Sequence, residues 1–164
     1  MILRKKKEKD KKNNYKASNW LPIFFIIFLS IFVVLSNSKL DNDLWYLLTE
    51  GRYILKHGIF HVDPLSMHEG LNVVVQNWFS ASFLWIVYDF FGEMGILALI
   101  VLCNAMICIL IYKISYLISD ENKILSTIIM FICDLTLLTH YIVSRPQIFS
   151  YITLLSLIYV LELY

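Results

Sequence analysis

Residues 17–38 carry no charge, and their centre reads IFFIIFLSIFVVL. About 22 residues at 1.5 Å each reach roughly 33 Å, enough to cross the ~30 Å hydrocarbon core of a bilayer. Three more apolar stretches follow, at about 94–118, 124–143 and 147–164. The chain is 59% hydrophobic and only 16% charged, too little polar surface to clothe a soluble domain of 164 residues. The pattern predicts an all-α membrane protein. It has about four transmembrane helices, at 19–38, 94–118, 124–143 and 147–164, and about two juxtamembrane or interfacial helices in the first outer loop.

Charge sets the orientation. Arg4, Lys5, Lys6, Lys7, Lys9, Lys11, Lys12 and Lys16 all precede the first apolar stretch. Residues 1–18 therefore read as a basic cytoplasmic tail, a solvated run rather than a nucleic-acid surface, and the first loop as extracytoplasmic. Basic residues before an apolar core also suit a signal peptide. Ser36-Asn37-Ser38 is a poor cleavage site and the apolar run is long, so an uncleaved anchor is expected. Cys103, Cys108 and Cys133 lie inside apolar stretches at spacings that match no metal motif, and read as free thiols.

The outer loop, 39–93, holds most of the polar chemistry. Residues 41–57 predict an amphipathic helix, with Leu44, Leu47, Leu48, Gly51 and Leu55 on one stripe and Glu50, Arg52 and Lys56 elsewhere. Asp41 or Asp43 suits its N-cap and Gly58 its end. A turn is expected at Asp63-Pro64 and a β-prone piece at 73–75. Residues 77–91 are apolar and aromatic but reach only about 22 Å, so they predict a helix lying at the membrane interface, ended by Gly92. With 77–91 not crossing, Arg145 returns to the side that holds Asp41 and Asp43.

Asp41 and Asp43 are the candidate catalytic residues. A carboxylate partly desolvated at a membrane surface gains basicity, which suits a general base. Arg145, in Ser144-Arg145-Pro146-Gln147, is a candidate phosphate contact through paired hydrogen bonds, and Arg52 is a second. Asp134 stands inside an apolar stretch, with His140 six positions on. Such a residue either faces a polar cavity or bonds a neighbouring helix. His57, His61 and His68 fit no zinc spacing. No cofactor is required by these motifs, and a divalent metal at the acids stays open.

Together these parts resemble the GT-C superfamily of integral-membrane glycosyltransferases, in a bacterial branch with the pattern D-x-D-x-W-[WY]-x-L-x-x-G-R-[WY]-I-L-x-x-G. Here it reads Asp41, Asp43, Trp45, Tyr46, Leu48, Gly51, Arg52, Tyr53, Ile54, Leu55 and Gly58. Asp63-Pro64-Leu65-Ser66, the helix at Trp78 and SRPQIFSY at 144–151 follow in order. The resemblance implies a plasma-membrane enzyme that takes a sugar from a polyprenyl-phosphate donor. The acceptor is an extracytoplasmic glycan, lipid or protein. It implies Asp41 or Asp43 as base and Arg145 at the phosphate. Departures fall at Leu47, where relatives often carry His, and at Gln76-Asn77, where they often carry His-Glu. The superfamily core has more spans than this chain, so the chain reads as its N-terminal part. The alternative is a non-catalytic membrane scaffold or assembly partner that keeps the fold.

Overall fold

The computed structural model describes residues 20–36, 42–67, 70–140 and 146–164. Among them the fold is all-helical, with no β-strand. The helices are α1 (Trp20–Ser36), α2 (Asn42–His57), α3 (Trp78–Ile118), α4 (Lys123–His140) and α5 (Gln147–Leu163).

The third helix is the spine, and each of the other four packs against it. Run straight, its 41 residues would reach roughly 62 Å, about twice a hydrocarbon core. It does not run straight. Gly92 takes φ 63° and ψ −155°, outside helical geometry, in a region that only glycine adopts without strain. The break divides α3 into residues 78–91 and 93–118, and it falls at the glycine where the interfacial helix is expected to end. By length and composition α3 is long and apolar enough to cross a membrane. The first and last helices are shorter apolar helices of 17 residues each.

Hydrophobic contact joins the bundle. Leu29 and Val33 of α1 are buried, while Phe24, Ile27, Phe28 and Ile31 of the same helix face outward. A helix apolar on every face needs an apolar surround on its outer side too. Phe25 of α1 meets Phe131 of α4, ring centroids 5.0 Å apart. Ile96, Ile100, Ile107 and Ile111 of α3 supply the middle of the core, and Met130 of α4 closes it. Hydroxyls within the helices bond back to carbonyls one turn earlier, as Ser30 Oγ does to Ile26 at 2.8 Å. Such bonds remove the cost of a bare polar group in apolar surroundings.

The turn into α4 is tight. Asp120 and Glu121 both take positive φ, 52° and 64°. Asn122 Oδ1 then accepts the Leu125 amide at 3.2 Å and starts α4. The fifth helix follows Pro146 and lies along both halves of α3. Phe149 meets Phe83 at 5.9 Å, and Lys113 Nζ sits 5.4 Å from the Tyr159 ring centre.

Two local expectations change. In α2 the buried set is Leu44, Leu47, Leu48, Glu50, Gly51 and Ile54, whereas Leu55 is 51% exposed. The buried stripe is rotated from Leu55 towards Glu50, which lies on a cavity shared with residues 73–77. At 73–75 there is no strand. A single antiparallel bridge joins Val62 and Asn72, and the Asp63 amide bonds the Leu71 carbonyl at 2.9 Å. The turn at Asp63-Pro64 is present, with Asp63 Oδ1 accepting the Leu65 amide at 2.8 Å.

Candidate functional site

A cavity of about 770 Å³ opens between α2, the segment 73–77, the start of α3 and the start of α5. The second helix contributes Asp43, Tyr46, Leu47 and Glu50, spaced i, i+3, i+4 and i+7, which is one face of a helix. The fifth contributes Pro146, Gln147, Phe149, Ser150 and Thr153, again one face. Gln76, Asn77 and Ser80 complete a wall of amides and hydroxyls.

The placement of α2 has a definite cause. A Cβ built on Gly51 would fall closest to the Ala81 carbonyl oxygen, 2.5 Å from the carbonyl carbon and 3.0 Å from Ser82 N. Backbone lies against backbone there, an approach only glycine permits. Trp45 packs edge-on against Tyr88 at 5.7 Å, and Arg52 lays its guanidinium 5.3 Å from the Trp85 ring centre. These contacts fix the rotation of α2, and with it the direction in which Asp43 and Glu50 point.

The two acids sit in unlike surroundings. Asp43 is exposed, in the first turn of α2. Glu50 is only 7% exposed. Burial pushes its carboxyl above the ordinary range, and the nearby negative charge of Asp63 pushes it further. Tyr46 is raised as well, by burial first and then by Asp63 and Glu50. The Glu50 carboxylate makes no hydrogen bond or ion pair with the described residues. No Lys, Arg or His is among the described residues that line the cavity.

Of the residues singled out from sequence, Asp43 lines this cavity, and so do Pro146 and Gln147, the described end of the later motif. Asp41 and Arg145 lie outside the described residues. Arg52 is not on the cavity wall and sits over Trp85 instead. Asp134 is fully buried between α3 and α4, where Asn104 Nδ2 donates to its Oδ2 at 3.5 Å. It thus bonds a neighbouring helix. His140 closes α4, and its side chain lies outside the described residues. Asp43 and Glu50 offer two carboxylates. No group of three metal-binding side chains occurs among the described residues.

Glu50 is the acid on the cavity wall that the sequence reading did not single out. The available signal was its position seven after Asp43 and directly before the close-contact glycine. No family model matches the chain, and neither a curated protein nor a solved structure matches it.

Proposed function

We propose that the chain is the membrane module of a GT-C-like glycosyltransferase, moving a sugar from a polyprenyl-phosphate donor to an extracytoplasmic acceptor. An acid of the first outer loop accepts the proton of the acceptor hydroxyl, and Arg145 contacts the phosphate. One observation carries the reading. Asp43 and the Pro146-Gln147 end of the later motif, about a hundred residues apart, line one cavity. Its wall mixes carboxylates, amides and hydroxyls with the apolar faces of Leu47, Val73, Val74, Val75 and Phe149, and a carbohydrate, with hydroxyls and C–H faces, suits both. The apolar outer faces of α1 and α3 suit a bilayer that would also hold a polyprenyl chain.

The test uses full-length protein and a polyprenyl-phosphate-linked sugar. Asp41→Asn and Asp43→Asn each remove a charge that would orient or activate the acceptor. A hydrogen bond to a charged group contributes about 1.5–3 kcal/mol, so a loss of roughly tenfold to a hundredfold is expected. Wild-type transfer in both variants refutes the participation of these acids.

A second reading rests on one observation. Leu47, Gln76 and Asn77, the three departures from the resembling pattern, all line the same cavity. A scaffold that binds glycan there without transferring it is favoured by that coincidence. Saturable glycan binding with no transfer by the full-length protein would select it.

A further inference from the structure

We infer that Glu50, rather than Asp41 or Asp43, is the group that takes the acceptor's proton. The inference rests on the transferase reading and moves the proton step to a residue that the resemblance does not pick.

Three observations converge on Glu50. It lines the cavity together with Asp43 and the polar face of α5. It is the buried one of the two acids, at 7% exposure, while Asp43 is exposed. Among the described residues no donor or cation satisfies it. The body of Glu50 is covered while its carboxylate opens on the cavity, with no donor among the described residues, an arrangement that packing alone does not call for. A leucine there would serve packing better. A ligand hydroxyl arriving in the cavity can donate to that carboxylate.

Desolvation also suits the chemistry. A carboxylate in bulk water is a weak base at neutral pH, because water stabilises its charge. Withdrawn from water it becomes more basic and holds a proton at higher pH. Burial and Asp63 act on Glu50 in that sense. The titratable groups around it, among the described residues, are Asp43 and Tyr46 on α2 and Asp63 in the loop. The stretch before α3, the start of α3 and the face of α5 bring only amides, hydroxyls and apolar groups.

The step balances as an inverting displacement. The acceptor O–H proton passes to a Glu50 carboxylate oxygen. The acceptor oxygen bonds the anomeric carbon, and the bond from that carbon to the phosphate oxygen breaks. The electron pair leaves with polyprenyl phosphate. Glu50 then returns the proton to solvent through the cavity mouth, and Asp43, at that mouth, holds the acceptor.

The experiment measures the pH–rate profile of sugar transfer by the full-length protein and by Glu50→Gln, Glu50→Asp and Asp43→Asn, each checked for an unchanged melting temperature or better. Glu50→Gln should lose about 10²- to 10⁴-fold in kcat, with little change in donor KM, and should lose the acid limb. Glu50→Asp should keep a limb at shifted pH and recover part of the rate. Asp43→Asn should be slower but keep the limb where wild type has it. A Glu50→Gln enzyme within a few-fold of wild type, or one that keeps the acid limb, overturns the assignment and leaves the transferase reading standing. A wild-type protein that transfers no sugar overturns both.

Discussion

Gly51→Ala is the most direct test of how the site is held. The atoms nearest the added Cβ would be backbone of Ala81 and Ser82, the Ala81 carbonyl carbon at 2.5 Å. Non-bonded carbons rest at about 3.5–4.0 Å, so α2 must retreat by roughly 1 Å. Main chain cannot rotate aside as a side chain would. Retreat also loosens Leu44 and Leu48, at 0% and 1% exposure, from the core. Against this, alanine is the better helix former by about 1 kcal/mol. Overpacking costs about 1–3 kcal/mol, and a backbone clash lies at the upper end. The net expectation is a loss of about 1–2 kcal/mol, a melting point lower by about 2–8 °C for a chain of this size. Thermal unfolding in detergent measures it. Spin labels on α2 and on residues 78–91 should report a wider and broader separation. Ala81→Gly should fail to rescue, because the clash is with main chain. A Gly51→Ala protein as stable as wild type would refute the close contact, and with it the argument that fixes Asp43 and Glu50.

The other predictions are shorter. Glu50→Gln should stabilise the protein at high pH and not at low pH. The folded-state carboxyl is raised above its unfolded value, so wild type loses stability as pH rises through that interval while the amide does not. Denaturant unfolding at a series of pH values reads the difference, and a pH-independent gap would contradict it. Asp134→Asn should be nearly neutral, whereas Asp134→Leu leaves the buried Asn104 amide only the weak acceptor Cys108 Sγ at 3.9 Å and should cost about 1–3 kcal/mol. Asn104→Leu on top of Asp134→Leu should recover much of that loss. Gly92→Ala meets no atom within 4 Å, so only backbone strain of about 1–3 kcal/mol opposes it. A drop in melting temperature, or a straightened α3 by spin-label distance, is expected.

Elements set by local rules were legible in the sequence. The second helix could be read from its 3.6-residue stripe, its acidic opening and Gly58, whose amide returns to the Ile54 carbonyl at 2.8 Å. Gly92 could be read as a stop because the aromatic run before it was too short to span. The Asp63-Pro64 turn was equally local. What escaped reading depended on distant chain. Glu50 looks solvent-facing on a helical wheel, and its burial comes from the cover of other elements, which no spacing within α2 encodes. Leu55 was misplaced for the same reason. Asp134 was flagged as an ionisable residue in an apolar stretch, but its partner Asn104, thirty residues earlier, is an ordinary polar residue in α3 and gave no signal. Residues 73–75 have strand composition, yet strand needs a neighbour to pair with, and among the described residues the bridge forms one position earlier, at Asn72.

The fifth helix touches α3 at Phe83 and at Lys113, on opposite sides of Gly92. A glycine break left to itself is a swivel, with several angles of similar energy. Here a second helix lies across it as a splint. A piece of chain made well after the break therefore helps to hold the angle of the spine. The same splint is one wall of the cavity. Holding the bend and completing the pocket thus draw on the same helix, and a chain cut before Pro146 should lose that wall and be freer at Gly92.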